Sequence, residues 1–217
     1  MTKTDKIKLI ILIFIIAILA LLKVNVCAVN ATDIYNRTDH RPKDIIEYEN
    51  KEADELSELT SELFEQIAAE NEFKIAYLNN STHVNDNDVK ILGNIIYNES
   101  RGESKLVWSC VAWTVMNHCD NDNKSIEYEA NFPNRFAYKP GMKLKAEKAK
   151  ELLQECEDIA RDVIIRHMCE QDGIKEVGRT LPNDYFSYWG DGKTTHFRKQ
   201  IKMYDYWDFS LGNPYNI

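Results

Sequence analysis

The chain has 217 residues and a formal net charge of −8, enough for one domain with a tail. The acidic balance argues against a nucleic-acid partner, which needs a basic surface.

Lys3, Lys6 and Lys8 precede an unbroken apolar run over residues 9–22, Lys23 ends it, and Val26-Cys27-Ala28 offers a small-residue cleavage site. This is the three-part form of a secretory signal. Residues 1–28 are therefore read as a signal peptide or signal anchor. If the signal is uncleaved, residues 7–22 hold the chain on the membrane with the bulk outside. Either way the expected location is extracellular, in the cell wall or facing outward. Removing residues 1–28 takes away four lysines and one aspartate and leaves a charge of −11.

Residues 29–43 are polar and read as a linker. Over residues 44–77 an apolar stripe of Leu56, Leu59, Leu63, Phe64 and Ile67 is flanked by Glu49, Glu52, Glu55, Glu58, Glu62 and Glu65. This predicts an amphipathic helix, docked on the domain or acting as a stalk. A polar linker over residues 78–85 leads to a C-terminal domain over residues 86–217, with Asp86 or Asp88 as the cap of its first helix.

That helix steps through Val89, Leu92, Ile96 and Glu99 on one face. Glu99 continues an apolar stripe and stands at the negative end of its helix, which both favour a protonated acid. Gly102 is the expected left-handed stop. Glu103 and Ser104 open the next helix, whose positive end favours an ionised carboxylate. Environments that split two carboxyl groups mark acid and base roles. The next helix, residues 106–119, is apolar almost all round and reads as central and buried, so Asn117 near its end needs a partner.

Residues 120–131 are acidic and Asn-rich and read as a loop. Asp120, Asp122 and Glu129 lack the spacing of a twelve-residue calcium loop, no zinc-ligand spacing occurs, and no metal or cofactor is expected. The aromatic loop that follows offers Phe136 as a wall for sugar rings. Residues 145–171 read as a long helix stopped by Gly173, with His167 a satisfied core histidine. Tyr188 and Trp189 then alternate along a strand, Gly190-Asp191-Gly192 turns, and His196 lies on the return strand of a β-hairpin. Aromatics on such a hairpin suit glycan binding. The cysteines are as readily free buried thiols as disulfides.

Asn98-Glu99-Ser100-Arg101-Gly102-Glu103, followed by Val111-Ala112-Trp113-Thr114-Val115-Met116-Asn117-His118, resembles the SleB/CwlJ-type cell wall hydrolases, the spore cortex-lytic enzymes. Their corner reads Gly-Glu-Ala-Arg-Gly-Glu before an apolar helix ending Asn-Arg. Phe132-Pro133-Asn134-Arg135-Phe136-Ala137 stands where that family has Gln-Phe-Ser, and Thr195-His196-Phe197 falls near the C-terminus as in the family. The similarity spans residues 86–207. Asn98, Ser100, His118, Arg135 and Ala137 depart from the pattern.

The resemblance implies a lysozyme-like helical domain acting on peptidoglycan, with Glu99 as catalytic acid. The expected fold class is thus mainly α (α+β), with a small C-terminal hairpin. The expected activity is cleavage of the β-1,4 bond between N-acetylmuramic acid and N-acetylglucosamine by a lytic transglycosylase. Arg101, Glu103, Phe136, Tyr188, Trp189 and His196 are the candidate glycan contacts. The alternatives are a muramidase-type hydrolase with a second carboxylate, Glu103 or Asp191, or a membrane-tethered glycan-binding assembly protein without activity.

Overall fold

The structure is a computed structural model and describes residues 43–192, 194–201 and 205–215. The expected signal segment and the linker up to residue 42 lie outside the described residues. The chain divides into two compact units, Met1–Thr60 and Ser61–Ile217. In the first, residues 43–60 are helical. The second holds the candidate site, and the following account concerns it.

Among the described residues five helices and one hairpin follow in order: α1 Lys43–Ser81, α2 Asp86–Ser100, α3 Lys105–Asp122, α4 Ile126–Asn131, α5 Glu147–Gln171, β1 Ser187–Gly190 and β2 Thr195–Arg198. The described chain is thus mainly helical with one two-stranded antiparallel sheet. No helix among the described residues is long and apolar enough to cross a membrane.

Helix α1 runs four residues past its expected end, so the linker shrinks to residues 82–85. Its last turns are docked: Phe73, Ala76 and Tyr77 pack on the core, and the Tyr77 hydroxyl donates to Asp162 at 2.7 Å. That burial and the nearby Asp162 carboxylate push the Tyr77 phenol well above its ordinary range. Leu63 and Phe64, by contrast, stay exposed.

Helix α3 is the centre of the unit. Every residue from Val107 to Asn117 on it is buried, as its lack of a polar face required. Ser104 caps it by accepting from the Val107 N–H at 3.4 Å. Helix α2 is capped by Asn85, which accepts from Asn87 N–H at 2.9 Å, and not by Asp86 or Asp88. The Asn side chain can fold back on the second N–H beyond it, while the two aspartates sit inside the first turn.

Helices α2 and α5 pack closely at Gly93. A Cβ there would lie 2.9 Å from Glu157 Cα and 2.6 Å from its Cγ. Gly93→Ala is therefore expected to push the helices apart and cost about 1–3 kcal/mol, although alanine is the better helix former. Urea unfolding of both proteins checks this; an alanine variant as stable as the parent would show that the contact yields freely.

Helix α5 ends as expected. Gly173 has φ +94°, and the Ile174 N–H returns to the Cys169 carbonyl at 3.0 Å, the Schellman pattern. The acidic stretch after α3 is not wholly a loop, because Ser125 caps the six-residue α4 by accepting from Tyr128 N–H at 3.2 Å. Cys110, Cys119, Cys156 and Cys169 are free and buried, and burial pushes the first three thiols up to about 12.

The hairpin pairs Tyr188 with Phe197 and Trp189 with His196. Phe197 is fully buried, so its face joins the core. The C-terminal tail closes over it. Trp207 Nε1 donates to the Thr180 carbonyl at 3.0 Å, Phe209 meets Phe197 edge-on at 6.1 Å, and the Tyr215 hydroxyl donates to Asp162 at 2.7 Å.

Candidate functional site

The corner between α2 and α3 faces the turn of the hairpin. Between them lies a cleft of about 480 Å³, lined by Asn98, Glu99, Arg101, Glu103, Thr194 and Thr195, with the glycines of the hairpin turn. Gly102 is not the left-handed stop expected from the sequence. It is absent from the positive-φ positions, and α2 ends with Arg101 in the right-handed region at φ −54°. The Glu103 N–H bonds the Ser100 carbonyl at 2.8 Å, and Trp108 Nε1 takes the same carbonyl at 2.7 Å. Two donors on one helix-end carbonyl close the corner without special backbone geometry.

Glu99 is half-buried. Its Oε1 accepts the backbone N–H of Ala137 at 2.6 Å. The Tyr188 hydroxyl is the second neighbour. Its oxygen is buried and makes no aligned hydrogen bond, yet it lies near enough that both burial and the Glu99 charge raise the phenol well above the ordinary tyrosine range. The ring flank remains partly open, so only the polar tip is enclosed. A phenol held neutral beside a carboxylate can donate to it or to a bound substrate.

Glu103 is half-buried on the same cleft, and its Oε1 accepts the Thr195 hydroxyl at 3.3 Å. Arg101 is exposed on the rim, with its guanidinium 5.6 Å from the Tyr97 ring centre. The cleft thus gathers Glu99, Arg101 and Glu103, with Tyr188 behind Glu99.

The other expected contacts lie elsewhere. Phe136 is half-buried, its ring edge-on to His118 at 5.7 Å, and does not line the cleft. Trp189 and His196 sit on the opposite face of the hairpin from Tyr188 and Phe197, because alternate strand residues point to opposite sides. There Trp189 stacks on His196 at 5.1 Å and both meet Tyr206. His196 Nε2 lies 3.1 Å from Asp191 Oδ2. This is an exposed aromatic platform beside the turn, not a wall of the cleft. Asp191 meets His196 there and is not among the residues that line the cleft with Glu99.

Sequence reasoning missed the parts that hold Glu99. Asn94, almost fully buried, makes a reciprocal pair with Lys139: Nδ2 donates to the Lys139 carbonyl at 3.0 Å, and Oδ1 accepts the Lys139 N–H at 2.9 Å. A lone Asn amid Leu92, Gly93, Ile95 and Ile96 was the signal available. Asn117 does find partners, the carbonyls of Pro182 and Tyr185, each at 2.8 Å. It thereby anchors the segment that starts the hairpin.

Asp122 and Glu129 do come together, with His118, their ligand-type atoms all within 4.8 Å of one another. The cation among them is Arg135, whose guanidinium bonds Asp122 Oδ2 at 2.7 Å and also Glu129. His118 Nε2 meets the Phe186 carbonyl at 2.8 Å, and burial holds the imidazole below its ordinary pKa.

With Arg101 on the rim, the two carboxylates and the enclosed phenol give the cleft groups that can donate and accept protons. No protein-family model, no curated protein and no solved structure matches this chain.

Proposed function

We propose that this chain is a peptidoglycan-degrading enzyme of lysozyme-like fold that cleaves glycan strands as a lytic transglycosylase, exported by its N-terminal segment, with Glu99 as acid and then base. The observation that carries this reading is the half-buried Glu99 carboxyl, held by the Ala137 N–H at 2.6 Å on the wall of an open cleft. The corner motif's resemblance to the SleB/CwlJ-type hydrolases supports it as well.

In this mechanism protonated Glu99 gives its proton to the oxygen of the muramoyl–glucosamine bond as that bond breaks. The sugar passes through an oxocarbenium-like transition state. The Glu99 carboxylate then removes the proton of the muramoyl C6 hydroxyl while that oxygen bonds to C1. The 1,6-anhydro ring closes, and the proton returns Glu99 to its starting form. The Tyr188 hydroxyl is suited to steady the carboxylate between the two transfers.

A hydrolytic reading is favoured by one observation: Glu103 lines the same cleft as Glu99. A second carboxylate could direct water or stabilise the cation. Incubation of the full-length protein in detergent with purified peptidoglycan separates the two. Anhydro-muropeptides by mass spectrometry are expected, and Glu103→Gln should then lower the rate by less than about tenfold, because a single acid–base group suffices. New reducing ends, with loss of activity in Glu103→Gln, would replace the transglycosylase by a hydrolase. An intact polymer would overturn both.

A further inference from the structure

The loop that carries the Ala137 N–H has no helix or strand of its own. Its far side is tied by the Asn94–Lys139 pair. Its near side is tied by Arg135, two residues before Ala137, which reaches Asp122 at the end of α3 and Glu129 on α4. The intervening Phe136 ring rests on His118. Arg135 also lies over the Phe132 ring at 3.9 Å.

This ion pair is a poor device for stability. Glu129 is fully buried, and its Oε1 has no hydrogen-bond partner. Burying such a pair often costs more than replacing it by apolar side chains of similar size. What it supplies is direction, because a planar guanidinium on two carboxylates from two elements fixes the loop's approach. Only one residue separates that anchor from the donor that holds Glu99.

We propose that the Arg135–Glu129–Asp122 cluster, built on the fully buried Glu129, is a positioning device for Glu99, acting by setting the loop whose Ala137 N–H holds that carboxylate. Its catalytic consequence rests on the reading of Glu99 given above; its geometric consequence does not. Arg135 and Glu129 touch no substrate here and are positioning residues.

The test replaces the pair rather than breaking it, since Arg135 removed alone leaves a buried charge. Full-length protein carrying Glu129→Leu and Arg135→Met together is compared with the parent. Amide hydrogen exchange at Ala137 should quicken by at least about tenfold, while that at Lys139, held by Asn94, stays slow. On peptidoglycan, kcat should fall by about 10–100-fold with KM nearly unchanged, and the melting temperature should not fall. Unchanged exchange at Ala137 in the folded double variant overturns the proposal, as does unchanged kcat. Faster exchange at Ala137 when the parent itself cleaves no glycan supports the positioning and overturns the enzymatic reading. If the double variant does not fold, Glu129→Gln, which keeps the Arg135 contact as a hydrogen bond to an uncharged acceptor, is measured by the same two readouts with smaller expected changes.

Discussion

Glu99→Gln is expected to lower glycan-strand cleavage by about 10²–10⁴-fold, the range for removing a general acid. The amide has nearly the carboxyl's shape and keeps an oxygen for the Ala137 N–H, which Glu99 now accepts at 2.6 Å. The half-buried setting, with the Tyr188 hydroxyl behind it, also tolerates an amide, because a hydroxyl can both donate and accept. Stability should therefore change by less than about 1 kcal/mol. What is lost is the proton. Release of soluble muropeptides from purified peptidoglycan, beside a thermal melt of each protein, reads both effects. A folded Gln variant that still cleaves at the parent's rate would remove Glu99 from the chemistry. Tyr188→Phe provides a graded comparison, because it removes only the neighbouring hydroxyl; a smaller loss than that of Glu99→Gln is expected.

Trp113→Ala is expected to have the largest effect on stability, about 3–5 kcal/mol. Trp113 is fully buried at the middle of α3. The Arg179 guanidinium lies over its ring at 4.0 Å and bonds Glu170, Asn117 and, at 3.0 Å, the Leu181 carbonyl. Burial draws the Arg179 pKa down, with the Glu170 charge acting against it. Removing the ring leaves a cavity beneath a part-buried cation that loses its aromatic floor. The damage should reach the cleft, because Asn117 links this network to the segment entering the hairpin. Chemical denaturation measures the first effect, and the peptidoglycan assay the second. A loss of under about 1 kcal/mol would mean that the core refills the space, contrary to the rigidity expected of close packing.

The helices were legible because their signals are local. The apolar circumference of residues 106–119 foretold a buried central helix, and α3 is that helix. Alternation at Tyr188 and Trp189, with glycines at the turn, foretold the hairpin that forms between β1 and β2. Gly173 foretold the end of α5 through its left-handed backbone. Where two local signals competed, the reading failed. Asn85 took the cap that Asp86 and Asp88 also offered, and a helix end at Arg101 needed no glycine.

The candidate site was legible only in part. Glu99 and Glu103 stand on one corner and share one cleft, as adjacency along the chain allowed. Trp189 and His196 were expected to join them because aromatics on a hairpin suit glycan binding, but strand alternation sends them to the other face of the hairpin.

By itself the sequence determined the mainly helical character, the buried α3, the hairpin and the corner of two glutamates, because each depends on periodicity and caps within a few residues. Only the tertiary structure decided what holds Glu99. Ala137 lies 38 residues away in the chain, and its backbone N–H is a group that every residue but proline carries. The same holds for Arg135 and the fully buried Glu129, whose charges look like surface charges until folding brings them together. Contacts between distant residues leave no periodic trace, so the chemistry of the cleft emerges only when the helices pack.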